Sequence, residues 1–465
     1  MRVKVAEHIG LAAPRRHVAV LALSLGTGML VIDNAIATVA LPTIARSLQI
    51  SSASAVVIVT VYQVVMLMAL LPFSALGDRL GHRRLYQTGQ LVFLVASFAS
   101  ALATSLPMLL AARCLQALGV AAALSVSSAL LRATYPPATL GRGIALNGLV
   151  VAVAAAVAPS LGGLILSFGS WRWVFAAAVP FAVLSLLLGQ ILPDPKARSS
   201  RFDMVGAGLC AAMFGLLMTG LSVVLGGNPP LGLGLIAIGV PVTILVVRRE
   251  LSSARPILPV DLLARATFAL PACALLFAFC GSLSFMVALP FRLQAAGMQT
   301  GAIGLLLAVW PLAMMMSASV AGVLADRTPK GLPGVIGMIL AAIGMTASGV
   351  LPADSGFLIL AIPMALIGTG MGVFMSPTSH LIVGAAPRDR AASAGALVSS
   401  TRFVGQALGA ALASAFLATR VGTESAPAFC AAGLALASAG FSFFNMMRGG
   451  GQRRPEPTEV IGVES

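Results

Sequence analysis

Along almost the whole chain, apolar windows of about twenty or more residues alternate with short stretches holding Arg, Lys, Pro and Gly. A helical span needs about 20 apolar residues, and the windows predict fourteen such helices, from 17–41 to 426–447. The third covers 85–106 and the sixth 173–192. The seventh and eighth, 204–225 and 231–248, are split only by Gly226, Gly227, Asn228, Pro229 and Pro230; twelve is the competing count if these two do not both cross. The first run follows Arg15 and Arg16 and is too long for the apolar region of a cleavable signal, so it is expected to remain as an anchor.

Composition narrows the class. Of 465 residues, 58% are hydrophobic and 9% charged, against about 25% charged in a soluble domain. A water-soluble enzyme is excluded, and an all-α polytopic membrane protein with the bilayer as its solvent remains. The net charge of +15 would suggest nucleic acid in a soluble chain; here it is read as topology, with no nucleic-acid partner. With the N-terminus in the cytoplasm, 23 of the 29 Lys and Arg fall inside and four outside (Arg46, Arg172, Arg292, Arg420), while Arg113 and Arg402 lie within spans. That asymmetry places both termini in the cytoplasm.

The five Cys all sit in apolar stretches and read as free thiols, and the four His are scattered. No metal, cofactor or catalytic cluster is expected, and no GxxxxGK[ST] segment points to ATP. An internal repeat is visible instead: Ser74–Arg84 (SALGDRLGHRR) and Ala321–Gly331 (AGVLADRTPKG) both put an Asp-Arg pair at a helix end, Asp78-Arg79 and Asp326-Arg327. Eight spans lie between the two copies where a six-helix repeat would leave six. The expected plan is therefore 6+2+6: tail 1–16, first bundle 17–192, linker 193–203, inserted pair 204–248, linker 249–266, second bundle 267–447 and tail 448–465. Repeated halves around a central site are the usual plan of secondary transporters.

These residues resemble the major facilitator superfamily, and within it the fourteen-span drug:proton antiporter branch. Span 1 carries IDNAIATVALP (Ile32–Pro42), similar to the branch's acidic first-helix motif. The Ser74–Arg84 loop matches the signature loop, with Ser74 for its leading Gly and His82 for a basic residue. RCLQALG (Arg113–Gly119) is similar to the Arg-x-x-Gln-Gly motif with Ala117 for Gly, and APSLGG (Ala158–Gly163) to the antiporter motif with Ala158 for Gly. WRWVF (Trp171–Phe175) and PILPVDLL (Pro256–Leu263) also look like this branch. The resemblance covers roughly residues 17 to 447. It implies the major facilitator fold, a bacterial cytoplasmic (inner) membrane location, monomeric function and efflux of compounds such as methyl viologen and quaternary ammonium ions.

Candidate chemistry follows from where charge sits in oil. Asp33 is the acidic residue lying well inside an apolar span. A carboxylate there costs about 3 kcal/mol, so it must be hydrogen-bonded, paired, protonated or bathed by a wet cavity. It is the group placed to trade a proton for cargo, which requires a water-accessible passage; a structural Asp33 bonded to backbone is the alternative. Arg113 is placed at a similar depth, roughly 8–12 Å from the outer face at 1.5 Å per residue, so an ion pair or relay is expected, against a plain packing brace. Asn34, Tyr62, Gln63, Gln116 and Asn147 are cavity candidates or helix–helix glue, and Arg402 with Gln406 either bonds carbonyls or lines the inner vestibule. His380 and the run Met314–Met316 favour packing or solvated roles. Asp78, Arg79, Gly81, Arg83 and Arg84, with Asp326 and Arg327, form a charged gate at the inner ends or serve topology alone. Pro159, Gly162 and Gly163 allow a bend or close packing in span 5. The expected function is proton-coupled export of lipophilic, cationic compounds by alternating access. Export of one endogenous metabolite on the same scaffold is the alternative, and a neutral or anionic cargo would recruit Arg113 or Arg402.

Overall fold

The computed structural model describes residues 11–136, 139–194, 203–253, 258–329, 331–386, 390–419 and 425–449. The first set of helices is α1 (Ala13–Ser47), α2 (Ser52–Leu80), α3 (His82–Ala101), α4 (Leu106–Thr134) and α5 (Leu140–Phe168), then the short α6 (Arg172–Ala176) and α7 (Val179–Leu188). A hairpin follows, α8 (Met204–Leu225) and α9 (Pro229–Ser252), and a single turn, α10 (Val260–Leu263). The last set is α11 (Ala266–Ala295), α12 (Thr300–Arg327), α13 (Leu332–Val350), α14 (Phe357–Ala385), α15 (Ala391–Ala418) and α16 (Ala426–Gly449).

Among the described residues, thirteen helical segments are long and apolar enough to cross a membrane, α6 and α7 counting as one. α3 is long enough but less apolar, since Arg84, Gln87 and Gln90 fall within its twenty residues. The expected sixth span is present as one crossing, interrupted only at Ala177 and Ala178, which keep right-handed helical backbone, because Pro180 has no N–H to donate to the preceding turn. Elsewhere helices overrun the apolar windows; α1 runs through Pro42 to Ser47, beyond the expected end at 41. The protein is a multi-pass membrane protein with large apolar side chains such as Val95, Phe98, Leu358, Ile362 and Phe444 on its outer surface.

The packing has a twofold plan. α1 lies on α5 as α11 lies on α15, α2 on α4 as α12 on α14, and α3 on α4 as α13 on α14. The two sets meet where α5 touches α12 and α2 touches α15, with α1 and α11 between them; α8 rests on both α2 and α15. The repeated loops are built alike. Gly81 (φ 98°) ends α2 and starts α3, and Gly331 (φ 98°) starts α13, a left-handed backbone that favours glycine.

Arg15, Arg16, Arg79, Arg84, Arg248, Arg249 and Arg448 mark one end of the bundle, the basic end. At the opposite end an apolar closure joins both sets through Ile36 and Leu41 of α1, Val287 and Phe291 of α11, and Ala413 and Leu417 of α15. There Gly163 of α5 meets Gly304 of α12 so closely that a Cβ on Gly304 would lie 2.5 Å from the Pro159 carbonyl oxygen and 2.8 Å from Gly163 Cα. Toward the basic end the sets part. From Gly141 to Val153 of α5 only Gly143 is buried, and from Pro311 to Val320 of α12 no residue is. Gly141, Gly148, Gly384 and Gly395, on the helices α5, α14 and α15, have open space around them. The result is a cleft closed at one end and open at the basic end.

The α8–α9 hairpin is pinned at the basic end. Asp203 caps α8 by accepting from the Gly206 N–H at 2.8 Å, and Arg249 donates to the same carboxylate at 2.8 and 3.3 Å. The Gly206 N–H, with help from Arg249, holds the Asp203 carboxyl below its ordinary value. Asp203→Ala is expected to cost about 1 kcal/mol, read as a lower Tm of detergent-solubilised protein at neutral pH. With the folded value below the unfolded one, this contribution is present above the unfolded carboxylate range and fades as pH falls through the folded value, so the gap between parent and variant closes in acid.

Candidate functional site

The structure brings the in-span charges together in the first set of helices. Arg113 Nη1 donates to Asp33 Oδ2 at 2.8 Å, and Gln116 Nε2, one turn along α4, donates to Asp33 Oδ1 at 2.8 Å. Gln116 also receives Arg113 Nη1 at its Oε1 and donates to Ser97 Oγ of α3 at 2.9 Å. The Arg113 guanidinium carbon stands 4.2 Å from the centre of the Tyr62 ring of α2 and 5.5 Å from that of Phe175 of α6. A charge pair, a bidentate amide and a ring face thus tie α1, α2, α3 and α4 at one point. Arg113 Nε and Nη2 and the adjacent Gln63 Nε2 are buried without a partner.

The relay geometry expected from sequence is present as a direct ion pair, but the depth argument needs correction. α1 projects well past the start of α4, so Asp33 is about 21 Å from its helix end and Arg113 about 10 Å from its own at 1.5 Å per residue. The expected wet passage is also not open here. Asp33 is 1% exposed and Arg113 0%, because pairing with Arg113 and Gln116 answers the cost of burial that water was expected to answer.

Other candidates separate into roles. Asn147 accepts from Thr27 at 3.0 Å and Ser24 at 3.3 Å and so bonds α5 to α1. Asn34 is half-buried with its side-chain oxygen unpartnered. Arg402 and Gln406 are half-buried on α15, His380 is exposed, and Met314 and Met315 are half-buried on α12 with Met316 exposed. Pro159, Gly162 and Gly163 lie inside a continuous α5; Gly162 packs on Ile36 of α1 and Gly163 on Gly304 of α12, which is close packing on two faces. Asp78 faces His82 at 3.2 Å within its own turn. Arg79 and Arg84 are exposed, Arg83 is half-buried, and a Cβ on Gly81 would lie 2.8 Å from Asp194 Oδ1. The side chains of Asp326 and Arg327 lie outside the described residues.

Three participants escaped the sequence reading. Ser97 belongs to a polar face of α3, with Gln90 seven residues before it and Ser100 three after, and that spacing in an otherwise apolar span was the available signal. Phe175 carried none. The Arg390–Asp261 ion pair (2.9 Å), which fastens the start of α15 to α10, joins residues 129 apart.

Two six-helix sets around a cleft closed at one end, with an ion pair buried beside it, define a membrane transporter. A profile of the Major Facilitator Superfamily matches residues 23–410, and the chain belongs to that superfamily. It is 42% identical over 416 residues to the uncharacterized transporter YebQ of Escherichia coli (strain K12), covering 88% of this chain and 90% of that one. It is 32% identical to the tetracenomycin C resistance and export protein of Streptomyces glaucescens over 86% of this chain and 76% of that protein. A crystal structure of peptide transporter POT in complex with sulfate superposes with a TM-score of 0.71 at 15% identity, over 96% of this chain and 98% of that one.

Arg113→Met strands a buried carboxylate and is expected to cost about 3–5 kcal/mol. The double replacement Asp33→Asn with Arg113→Gln keeps neutral partners and is expected to recover most of that loss. Thermal unfolding of the detergent-solubilised variants checks this; equal losses in the single and double variants would show the two residues to be uncoupled.

Proposed function

We propose that the protein is a proton-coupled exporter of lipophilic small molecules, working by alternating access of its two helix sets in a bacterial cytoplasmic membrane. The carrying observation is the sealed Asp33–Arg113–Gln116 network beside a cleft that opens at the basic end only. The positive-inside rule makes the basic end cytoplasmic, so this conformation faces the cytoplasm, and a single chain supplies both walls and works as a monomer. The 6+2+6 division follows the repeat, with α8 and α9 as the inserted pair.

In this reading Asp33 is ionised and held by Arg113 while the cleft faces inward. Rearrangement to the outward state opens the network to external water, Asp33 takes up a proton, and Arg113 loses its counter-charge. Proton uptake at Asp33 thus belongs to the outward state, in which cargo is released. The turns bearing Asp78, Arg79, Arg83 and Arg84, and Asp326 and Arg327, flank the opening and supply the charge contacts that hold it shut in the other state. A cationic cargo was expected because Asp33 was read as an uncompensated charge; in the inward state Arg113 compensates it, so the choice of cargo passes to the groups lining the cleft.

Everted membrane vesicles test the coupling. With a pH gradient, uptake of a fluorescent cargo is expected to exceed uptake without one, and Asp33→Asn is expected to abolish the difference at unchanged protein level. Uptake indifferent to the gradient in the parent would eliminate proton antiport. The close seam gives a second test. Gly304→Val sets side-chain atoms against the backbone of α5 and is expected to prop the opposite end open. With the native cysteines removed, Ala413→Cys should then label with an impermeant maleimide from outside, and faster than it does with Gly304 in place.

A further inference from the structure

We infer that Arg402 and Gln406 are the cargo-recognition point of the cleft, and that the cargo they take carries an anionic or carbonyl oxygen on an apolar skeleton. This rests on the reading of the cleft as the transport pathway, and it assigns the chemistry of what passes.

Helix α15 shows distinct faces. Gly405 and Gly409 face α11, where a Cβ on Gly405 would lie 2.6 Å from the Leu276 carbonyl oxygen. Phe403 joins Tyr62 and Met66 of α2, and Val404 belongs to the same cluster on the side of Phe214 and Met218 of α8. Arg402 and Gln406, one turn apart, take the face left between α11 and α2. Followed toward the opposite end, that face reaches Ala413 and Leu417, which belong to the apolar closure with Ile36 and Phe291. The pair therefore sits midway along the cleft, about 10–16 Å short of Ala413 at 1.5 Å per residue.

Arg402 is about 16 Å from the basic end of α15 at 1.5 Å per residue, deep in the apolar zone. Its Nε is buried with no hydrogen-bond partner, and its guanidinium carbon stands 4.8 Å from the Phe403 ring centre. It takes part in none of the ion pairs formed among the described residues. An intramembrane cation without a counter-charge is costly and marks a ligand pathway. A guanidinium presents a planar fork of donors suited to a carboxylate or a pair of oxygens, and the Gln406 amide adds two donors. Asp33, paired and 1% exposed, offers a cationic cargo nothing here, so the uncompensated field in the cleft is positive.

The test uses two dyes sharing a xanthene skeleton, anionic fluorescein and cationic rhodamine 6G, with the purified full chain in detergent and no gradient. Fluorescence anisotropy is expected to show tighter binding of fluorescein than of rhodamine 6G. Arg402→Gln should weaken fluorescein about tenfold or more, Arg402→Lys less, and Gln406→Ala several-fold, with rhodamine 6G unchanged or tighter. No fluorescein binding to the parent, preference for rhodamine 6G, or fluorescein affinity indifferent to Arg402→Gln in a protein with a monodisperse gel-filtration profile would overturn the inference. The two proposals fail separately: parent uptake indifferent to a pH gradient in vesicles overturns the coupling, whereas fluorescein affinity indifferent to Arg402→Gln in detergent overturns the recognition.

Discussion

The buried contact between Asp33 and Arg113 sets the terms for the rest of the molecule. Moving a carboxylate and a guanidinium out of water costs several kcal/mol for each ion, and their attraction repays it only when the remaining polar atoms are also satisfied. Here Gln116, Ser97 and the Tyr62 ring share that work. Because the five side chains come from α1, α2, α3 and α4, they lock those helices to one another, and two further bonds from Ser24 and Thr27 to Asn147 add α5. Two Arg113 nitrogens remain unsatisfied, so the network is strong without being saturated. An arrangement of that kind can be exchanged for another by one proton, whereas an apolar contact has no such handle.

Rigidity within a set needs freedom between sets. Across the seam the contacts are of another kind: small residues of α5 and α12 in backbone contact, the apolar closure, and one hydrogen bond seen among the described residues, Ser414 Oγ to the Ala53 carbonyl at 3.3 Å. Dispersion between close-packed backbones is non-directional, and in lipid it is the main force between helices. Parting such a seam at one end and forming a similar one at the other leaves the free energy of the two states close, which alternation requires. α8 lies along the seam against both α2 and α15, where it covers the line that lipid would otherwise enter.

Much of this architecture was readable in the chain because the bilayer simplifies the code. Length and apolarity mark each crossing, basic loops mark the ends, and the Asp78-Arg79 and Asp326-Arg327 repeats reveal the doubling. The exception is instructive: α3 reads as weakly apolar because it buries hydroxyls and amides against α4 and α7, with Tyr86 and Ser185 both donating to the Ala22 carbonyl. Burial inside a bundle, unlike exposure to lipid, tolerates paired polar groups. Asp33 and Arg113 were legible as isolated charges in oil and their pairing was expected, although the depths assumed for them were not those the helix lengths give. Their seclusion from water was not legible, since it depends on Gln116 of α4 and on Tyr62 and Phe175 closing around them from two other helices. Nor could spacing alone separate Asn147, which bonds α5 to α1, from Gln116, which completes the network; both are single amides at helical positions.

The twofold plan makes the difference between the halves informative. Where α1 meets α4 there is a charge pair, but where α11 meets α14 the contact is Ser282 Oγ to the Met371 sulfur at 3.4 Å. The second set instead places its in-span charge on α15, at Arg402. In the proposed cycle the two charges lie on different bodies, and α1 is the element packed against both. Ile36, one turn beyond Asp33, packs against Gly162 of α5 and enters the closure that also contains Ala413 of α15. In the proposed cycle a movement of α1 on a change of charge at Asp33 reaches the closure through Ile36.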